Sequence, residues 1–135
     1  MKVVVAIDSL KGSLSSLEAG EAIKSGVLKA MPDAEVYVRP LADGGEGTVE
    51  ALALGMGGEL KTVEVTGPLG EKVNCLYGIL EESKTAIVEM SGAAGITLVP
   101  DSERNPLHTT TYGVGEVIKD AISKGCRHFI VGIGG

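Results

Sequence analysis

The sequence predicts an α/β protein: a parallel sheet of the Rossmann or flavodoxin kind, interrupted by an antiparallel β meander that belongs to a second α/β subdomain. The parallel sheet is predicted by the short β-branched apolar run Val3–Ile7, which is typical of a strand buried on both faces, and by the alternation of such runs with helical patterns. The meander is predicted by polar and apolar residues that alternate on both sides of the turn Gly67–Gly70.

The first four elements alternate between strand and helix. After the first strand, Ser15 and Glu18 have the spacing of a capping box, and an apolar stripe at helical spacing predicts a helix that runs to about Met31. Glu35–Leu41 is the second predicted strand and Thr48–Leu54 the second predicted helix. This βαβα order predicts parallel strands joined by right-handed crossovers.

The rest of the chain departs from this order with a hairpin, a third apolar strand, a long loop, a helix and a last strand. In chain order these are Thr62–Thr66 with Val73–Ile79, Thr85–Met90, Ser91–Pro106, Val114–Ile122 and Arg127–Gly132. The pattern predicts three ranges: 1–60 as the first part of an α/β ligand-binding domain, 61–104 as the antiparallel meander or the start of a second subdomain, and 105–135 as a helix and strand that end in a truncated glycine-rich turn.

Composition limits the classes of function. Of the 135 residues, 44% are hydrophobic and 22% charged, which is typical of a globular domain. A net charge of −6 and 3% aromatic residues argue against a nucleic-acid partner. Cys75 and Cys126 have neither zinc-site nor disulfide-framework spacing. The first apolar run is too short for a signal peptide, and no segment approaches a membrane span, so we expect a cytoplasmic protein without a membrane partner.

Three polar, glycine-rich clusters each follow a predicted strand: Asp8–Ser13, Asp43–Thr48 and Gly132–Gly135. In open α/β sheets ligands bind outside the carboxyl ends of the strands, so we expect the clusters to form one shared site. Glycines let the backbone approach a ligand, and a helix amino terminus favours an anion such as phosphate. The alternative, for each cluster taken alone, is a glycine-rich turn. Because a helix should also follow the last cluster, we expect this chain to be the amino-terminal portion of a longer protein.

Spacing excludes several common catalytic motifs. The chain has no Walker P-loop, no Gly-x-Ser-x-Gly elbow and no complete dinucleotide fingerprint, and Leu10 stands where a DxD phosphatase needs a carboxylate. Phosphoryl transfer remains, because it needs phosphate-binding turns, a cation, and carboxylates for a metal ion and for the acceptor hydroxyl.

Five motifs together resemble the class I glycerate kinases. They follow one another in the family's order: Asp8–Ser16, Ala42–Thr48, Gly67–Gly70, Arg104–Leu107 with Thr109–Gly113, and Gly132–Gly135. The resemblance implies a protein of two α/β domains, well over twice as long as this chain. It also implies that ATP and Mg²⁺ are used to phosphorylate D-glycerate, giving 2-phosphoglycerate, or 3-phosphoglycerate, and ADP.

The chemistry of the clusters suggests roles for single residues. We expect Lys11 and Asp43 to be catalytic: Lys11 neutralises phosphate or carboxylate charge, and Asp43, supported by Glu46, is the general base or a ligand of Mg²⁺. Arg104 is a second candidate cation, and Glu89, which closes a strand, is a secondary candidate. The expected substrate- and nucleotide-binding residues are Asp8, Ser9, Gly12, Ser13, Gly44, Gly45, Glu46, Gly47, Thr48, Arg104, Gly132, Gly134 and Gly135.

These roles have structural alternatives. Asp8 could cap the following turn, Lys11 could be a solvated loop lysine, and Arg104 could form a loop salt bridge. At the level of function, one alternative is a non-catalytic α/β fragment or small-molecule-binding module that forms a homodimer through open strand edges. Another is the carboxylate-binding domain of a different transferase. Glycerate-dependent release of ADP would separate the kinase from both.

Overall fold

The structure, a computed structural model, describes residues 1–10 and 13–134. The chain divides into two compact units, Met1–Asp43 and the part from Gly44 onward. The first unit contains β1 (Lys2–Ile7), α1 (Ser16–Ala30) and β2 (Glu35–Pro40). The second contains α2 (Thr48–Gly55), β3 (Glu59–Thr66), β4 (Lys72–Leu80), β5 (Thr85–Glu89), α3 (Ser91–Ala94), α4 (Tyr112–Ser123) and β6 (His128–Gly132).

In the first unit, α1 packs on a parallel pair of strands. β1 and β2 pair in parallel, with Val4 opposite Tyr37. The predicted capping box is confirmed, because the Glu18 amide donates to Ser15 Oγ at 3.2 Å and the Ser15 amide donates to Glu18 Oε2 at 2.9 Å. The bond from the Ser15 amide, and a second one that the Ser15 hydroxyl donates to Glu18 Oε2 at 2.8 Å, lower the pKa of Glu18. The local sequence therefore determines where α1 begins.

The two faces of β1 differ in burial. Val5 is 6% exposed, whereas Val4, on the other face, is 65% exposed. The expectation that β1 is buried on both faces is therefore wrong for the described chain. Successive side chains of a strand point to opposite faces, so Val4 and Tyr37 lie together on the open face of this sheet.

In the second unit, a mixed sheet is covered by helices on both faces. Its strand order is β3-β4-β5-β6, with β6 parallel to β5 and the other pairs antiparallel. On one face, Val49 and Ala53 of α2 pack against Ile87. On the other face, Val117 of α4 belongs to the larger core together with Val88. The predicted α/β class, a parallel sheet with a separate sheet that contains antiparallel strands, is confirmed.

Some local expectations need correction. The segment predicted as the loop Ser91–Pro106 contains α3 and two short 3₁₀ turns, Ile96–Leu98 and Asp101–Glu103. β6 joins the second sheet, so the last glycine cluster follows a strand that lies in a different sheet from β1 and β2.

α2 packs on β4 and β5, so the compact units divide after Asp43, whereas the ranges predicted from the sequence divide after residue 60. Those ranges stay a prediction. None of the helices in the described part of the chain has the length and apolar character needed to cross a membrane.

Candidate functional site

Two glycine-rich segments that are distant in sequence meet in the second unit. The Gly134 amide donates to the Gly44 carbonyl oxygen at 2.9 Å. A Cβ atom at Gly132 would lie 2.5 Å from that same oxygen, and one at Gly134 would lie 2.9 Å from the Gly45 nitrogen. Only glycine permits such an approach of two backbones. We call Gly44–Thr48 together with Gly132–Gly134 the glycine cradle.

The Gly44–Thr48 side of the cradle is held by its own turn chemistry. Gly44 and Gly47 have φ angles of 99° and 87°, in the left-handed region that favours glycine. Gly47 is also the residue before α2. The Thr48 hydroxyl donates to the Gly45 carbonyl oxygen at 2.7 Å, and Thr48 is only 5% exposed. In this structure the Thr48 hydroxyl therefore stabilises the loop.

A carboxylate occupies the amino terminus of α2. Oε2 of Glu89 accepts the Val49 amide at 3.0 Å, and the Thr48 amide donates to the Gly45 carbonyl oxygen at 3.2 Å. Oε1 of Glu89 accepts the hydroxyl of Ser91 at 3.3 Å. Sequence analysis expected this helix end to attract a phosphate, but the anion at the Val49 amide is the protein's own Glu89.

Glu89 is also tied to the other side of the cradle. It stands opposite Gly132 in the parallel pair of β5 and β6, and the Met90 amide donates to the Gly132 carbonyl oxygen at 2.8 Å. Sequence analysis ranked Glu89 as secondary and did not foresee this link. The available signal in the sequence was a carboxylate directly after the apolar run Ala86–Val88.

The thiol nearest to this chemistry is inert. Burial, and then the negative charge of Glu89, raises the pKa of Cys75 to about 11. The thiolate is the nucleophilic form, so Cys75 has almost none of it at neutral pH. Cys75 and Cys126 are both buried, free cysteines, in keeping with their lack of disulfide-framework spacing.

Three candidate residues of the first unit that the structure describes, Asp8, Ser9 and Ser13, follow β1 in the chain. The Ser9 amide donates to Asp8 Oδ1 at 2.6 Å. This bond joins adjacent residues, whereas a capping aspartate accepts an amide two or three residues further on, so the capping alternative for Asp8 stays a prediction. The Ser13 amide donates to the Leu10 carbonyl oxygen at 2.8 Å. Lys11 and Gly12 of this cluster, and Gly135 of the last cluster, lie outside the described residues.

Asp43 and Glu46 are exposed side chains on either side of Gly44 and Gly45 in sequence. Within residues 1–10 and 13–134, no three His, Cys, Asp or Glu side chains converge as a metal site. Mg²⁺ is commonly held by one or two carboxylates together with water and substrate phosphates, so an exposed carboxylate such as Asp43 fits this ion.

Arg104 is engaged within its own loop. Its guanidinium pairs with Asp101 at 2.7 Å, and its Nε donates to the Val99 carbonyl oxygen at 3.4 Å. The side chain of Arg104 is 44% exposed. The structure thus contains the loop salt bridge that sequence analysis gave as the alternative to substrate binding. Its role toward a substrate stays a prediction.

Comparison with known proteins identifies the family that the motifs resemble. The model of the glycerate kinase family matches residues 3–135. This chain belongs to the glycerate kinase family. The resemblance described from the motifs is therefore confirmed.

Several relatives in the glycerate kinase family match over the whole chain. This chain is 51% identical over 135 residues to a glycerate kinase of Haemophilus influenzae and 50% identical to a glycerate 2-kinase of Escherichia coli. A solved structure from Salmonella typhimurium LT2, provisionally designated glycerate kinase 2, has 50% identity and a TM-score of 0.82. The chain spans 36% of the Haemophilus protein, 35% of the Escherichia protein and 36% of the Salmonella chain.

Proposed function

We propose that the protein to which this chain belongs is an ATP- and Mg²⁺-dependent kinase that phosphorylates D-glycerate. The hydroxyl oxygen of glycerate bonds to the γ-phosphorus, the bond from that phosphorus to the β–γ bridging oxygen breaks, and the hydroxyl proton passes to a base. The products are ADP and 2-phosphoglycerate, or 3-phosphoglycerate if the other hydroxyl reacts. The observation that carries this proposal is the glycine cradle in a chain of the glycerate kinase family.

The cradle has a backbone arrangement suited to positioning a phosphoryl group. Because charge on the transferred group is spread over oxygens, catalysis depends mainly on positioning and on electrostatic stabilisation. Backbone segments without Cβ atoms allow phosphate oxygens to come close to amide groups. The contact of Gly134 with Gly44 fixes the two segments relative to one another.

The side-chain roles are assigned by chemistry. Asp43 would hold Mg²⁺ or accept the hydroxyl proton, and Glu46 would support it. Mg²⁺, when bound, neutralises charge on the phosphate oxygens. Lys11 would neutralise phosphate or carboxylate charge, and Arg104 would bind the glycerate carboxylate after leaving Asp101. Asp8, Ser9 and Ser13 would hydrogen-bond the ligand from their positions after β1, together with Gly12, while Gly135 would extend the cradle.

The test is a coupled assay of ADP release by the full-length protein with and without D-glycerate. We expect release that depends on both glycerate and Mg²⁺, and a phosphoglycerate product whose position is read by phosphorus NMR. Asp43→Asn should lower turnover by about 10²–10⁴-fold, as loss of a positioned acid–base group does. Asp33→Asn, in the turn after α1, is the matched control and should leave turnover unchanged.

Two outcomes contradict the proposal. ATP binding without phosphorylation of glycerate would favour another transferase, and turnover of Asp43→Asn within a few-fold of wild type would refute the role of Asp43. Because the chain covers 36% of the Haemophilus relative, we expect residues 1–135 alone to be inactive. The alternative of a non-catalytic fragment therefore applies only to residues 1–135 in isolation.

A cytoplasmic location and a homodimer complete the proposal. The relatives named glycerate kinase support a small-molecule substrate. The net charge of −6 and the low aromatic content argue against a nucleic-acid partner. Cell fractionation and light scattering of the full-length protein test the location and the homodimer.

A further inference from the structure

Glu89 uses both carboxylate oxygens inside the second unit. Oε2 accepts the Val49 amide at 3.0 Å, and Oε1 accepts the Ser91 hydroxyl at 3.3 Å. Val49 is 1% exposed, so water cannot easily replace Glu89 at that amide. The bond joins the end of β5 to the first turn of α2, two elements that are distant in sequence.

We propose that Glu89 is a positioning residue of the kinase: its carboxylate holds the start of α2, and thereby the Gly44–Thr48 segment, against the Gly132–Gly134 turn. The proposal rests on the proposed function for its kinetic consequence. Its structural part stands on the contacts alone.

The geometry makes Glu89 the common support of both sides of the cradle. Along β5, Glu89 is opposite Gly132, and the next amide, that of Met90, binds the Gly132 carbonyl oxygen at 2.8 Å. Along α2, its carboxylate binds the amide that follows Thr48. The strand end that carries the Gly132–Gly134 turn therefore also fixes the helix end that carries Gly44–Thr48. Removing the carboxylate would leave a buried amide without its acceptor and free one side of the cradle.

The hydrogen bond between Glu89 and the Val49 amide also limits where a phosphate can bind. A carboxylate at the positive end of α2 is favourable, and it excludes a second anion from the Val49 amide. A phosphate bound at the cradle would therefore be held by groups other than the Val49 amide. Glu89 thus affects ligand binding indirectly, because it fixes the backbone at the start of α2.

The test compares Glu89→Ala and Glu89→Gln in the full-length protein with matched variants of Glu116. Glu116 is a suitable control because it also accepts a distant backbone amide, that of Thr66 at 2.6 Å, but from α4. Thermal unfolding, KM for ATP and kcat are measured for each variant. A displacement of about 1 Å can cost roughly a hundredfold in rate. We expect Glu89→Ala to lower kcat/KM for ATP by at least about tenfold, and Glu116→Ala to change stability without this loss.

The glutamine variants separate positioning from charge. The side-chain oxygen of Glu89→Gln can still accept the Val49 amide, so we expect it to recover most of the lost kcat/KM, with an unchanged pH profile. Two results would overturn the proposal: kinetics of Glu89→Ala equal to those of Glu116→Ala, or a Glu89→Gln variant as impaired as Glu89→Ala. The second result would mean that the charge of Glu89 acts directly.

Hydrogen exchange provides a readout that does not depend on the reaction. We expect the amides of Val49 and of Gly44–Thr48 to exchange faster in Glu89→Ala than in Glu116→Ala. If the wild-type protein fails to phosphorylate glycerate, the proposed function is wrong, while this exchange result still decides the positioning role. If Glu89→Ala does not fold, Ser91→Ala, which removes the partner of Oε1, is compared with the wild type instead, and we expect it to speed exchange at the Val49 amide. Equal exchange at Val49 in all folded variants would refute the proposal.

Discussion

Individual glycines in this protein are required for different physical reasons. Gly47 is needed for conformation, because its φ of 87° is in the left-handed region, whereas Gly132 is needed for space, because a Cβ there would lie 2.5 Å from the Gly44 oxygen. By contrast, a Cβ at Gly115, in α4, would meet nothing within 4 Å. The cost of an added methyl group should therefore depend strongly on position.

Gly132→Ala should be destabilising and should impair the proposed kinase, because the methyl group forces the two sides of the cradle apart. We expect a fall in kcat/KM for ATP of at least about tenfold, in line with the sensitivity of catalysis to small displacements. Gly115→Ala is the control and should stabilise the protein by about 0.5–1 kcal/mol, as helical Gly→Ala changes do. Thermal melts and ADP-release kinetics of both variants check this, and an equally active Gly132→Ala would contradict it.

At the residue scale, both glycine runs could be recognised from the sequence as places where the backbone can approach a ligand, because glycine chemistry is local. The close approach of the two runs to each other was not predicted. It could not identify Glu89 as the partner of Val49, because that bond joins positions 40 residues apart. The carboxylate reaches the helix because α2 packs on β5. Such a partner is determined by tertiary packing, which local patterns do not encode.

At the scale of elements, a single side-chain network joins β4 to α4. The buried Tyr77 hydroxyl donates to Oδ2 of Asp120 at 2.6 Å, and Lys124, which also pairs with Asp120, lies 5.7 Å from the centroid of the Tyr77 ring. Burial, followed by the hydrogen bond to Asp120, raises the pKa of Tyr77 to about 12. The folded state therefore favours the protonated phenol.

This raised pKa predicts alkaline sensitivity. An unfolded tyrosine ionises near pH 10, so the stability that Tyr77 contributes is fully present below about pH 10 and is lost as the pH rises toward about 12. Tyr77→Phe should flatten the fall in stability over that window, whereas Tyr112→Phe, at a position that is 65% exposed, should not. Urea unfolding at pH 9 to 12 measures the slopes. The same slope in Tyr77→Phe and wild type would exclude this explanation.

Periodicity predicted the helices and strands well but failed where no period exists. The stripe of Val114, Val117 and Ala121 identified α4, and Ser15 identified the start of α1. The segment after β5 was expected to be a loop, yet it forms α3 and two 3₁₀ turns, because elements of three or four residues are too short to show a period.

At the scale of the whole molecule, the two sheets differ in completeness. The second unit has a four-stranded sheet with helices on both faces, whereas β1 and β2 form a two-stranded sheet that leaves Val4 65% exposed. Parallel strands normally occur in larger sheets with both faces covered. The relatives in the glycerate kinase family are longer, since the chain spans 36% of the Haemophilus protein.

We therefore expect the β1 and β2 amides to exchange faster in a protein of residues 1–135 than in the full-length protein. The amides of β4 and β5 serve as the internal control and should differ much less. Hydrogen exchange followed by mass spectrometry on both proteins gives the comparison. Equal protection of β1 in both would show that the two-stranded sheet needs no further cover.

The order of strands across the molecule could be predicted only in part. The alternation of β1, α1 and β2 indicated parallel pairing, because crossover handedness and length leave few choices. The placement of β6 beside β5 in the other sheet was not predictable, because an apolar run such as that of β6 fits either sheet equally well.

The contact between Gly132 and Gly44 has an evolutionary consequence. When a side chain in a protein core grows, a neighbouring side chain can shrink in compensation. Here the obstacle to a larger residue at Gly132 is the Gly44 carbonyl oxygen, 2.5 Å from the added carbon, and a carbonyl group cannot be trimmed by any substitution. A larger residue at Gly132 therefore cannot be accommodated by any substitution at Gly44, and we expect such a mutation to be lost by reversion to glycine.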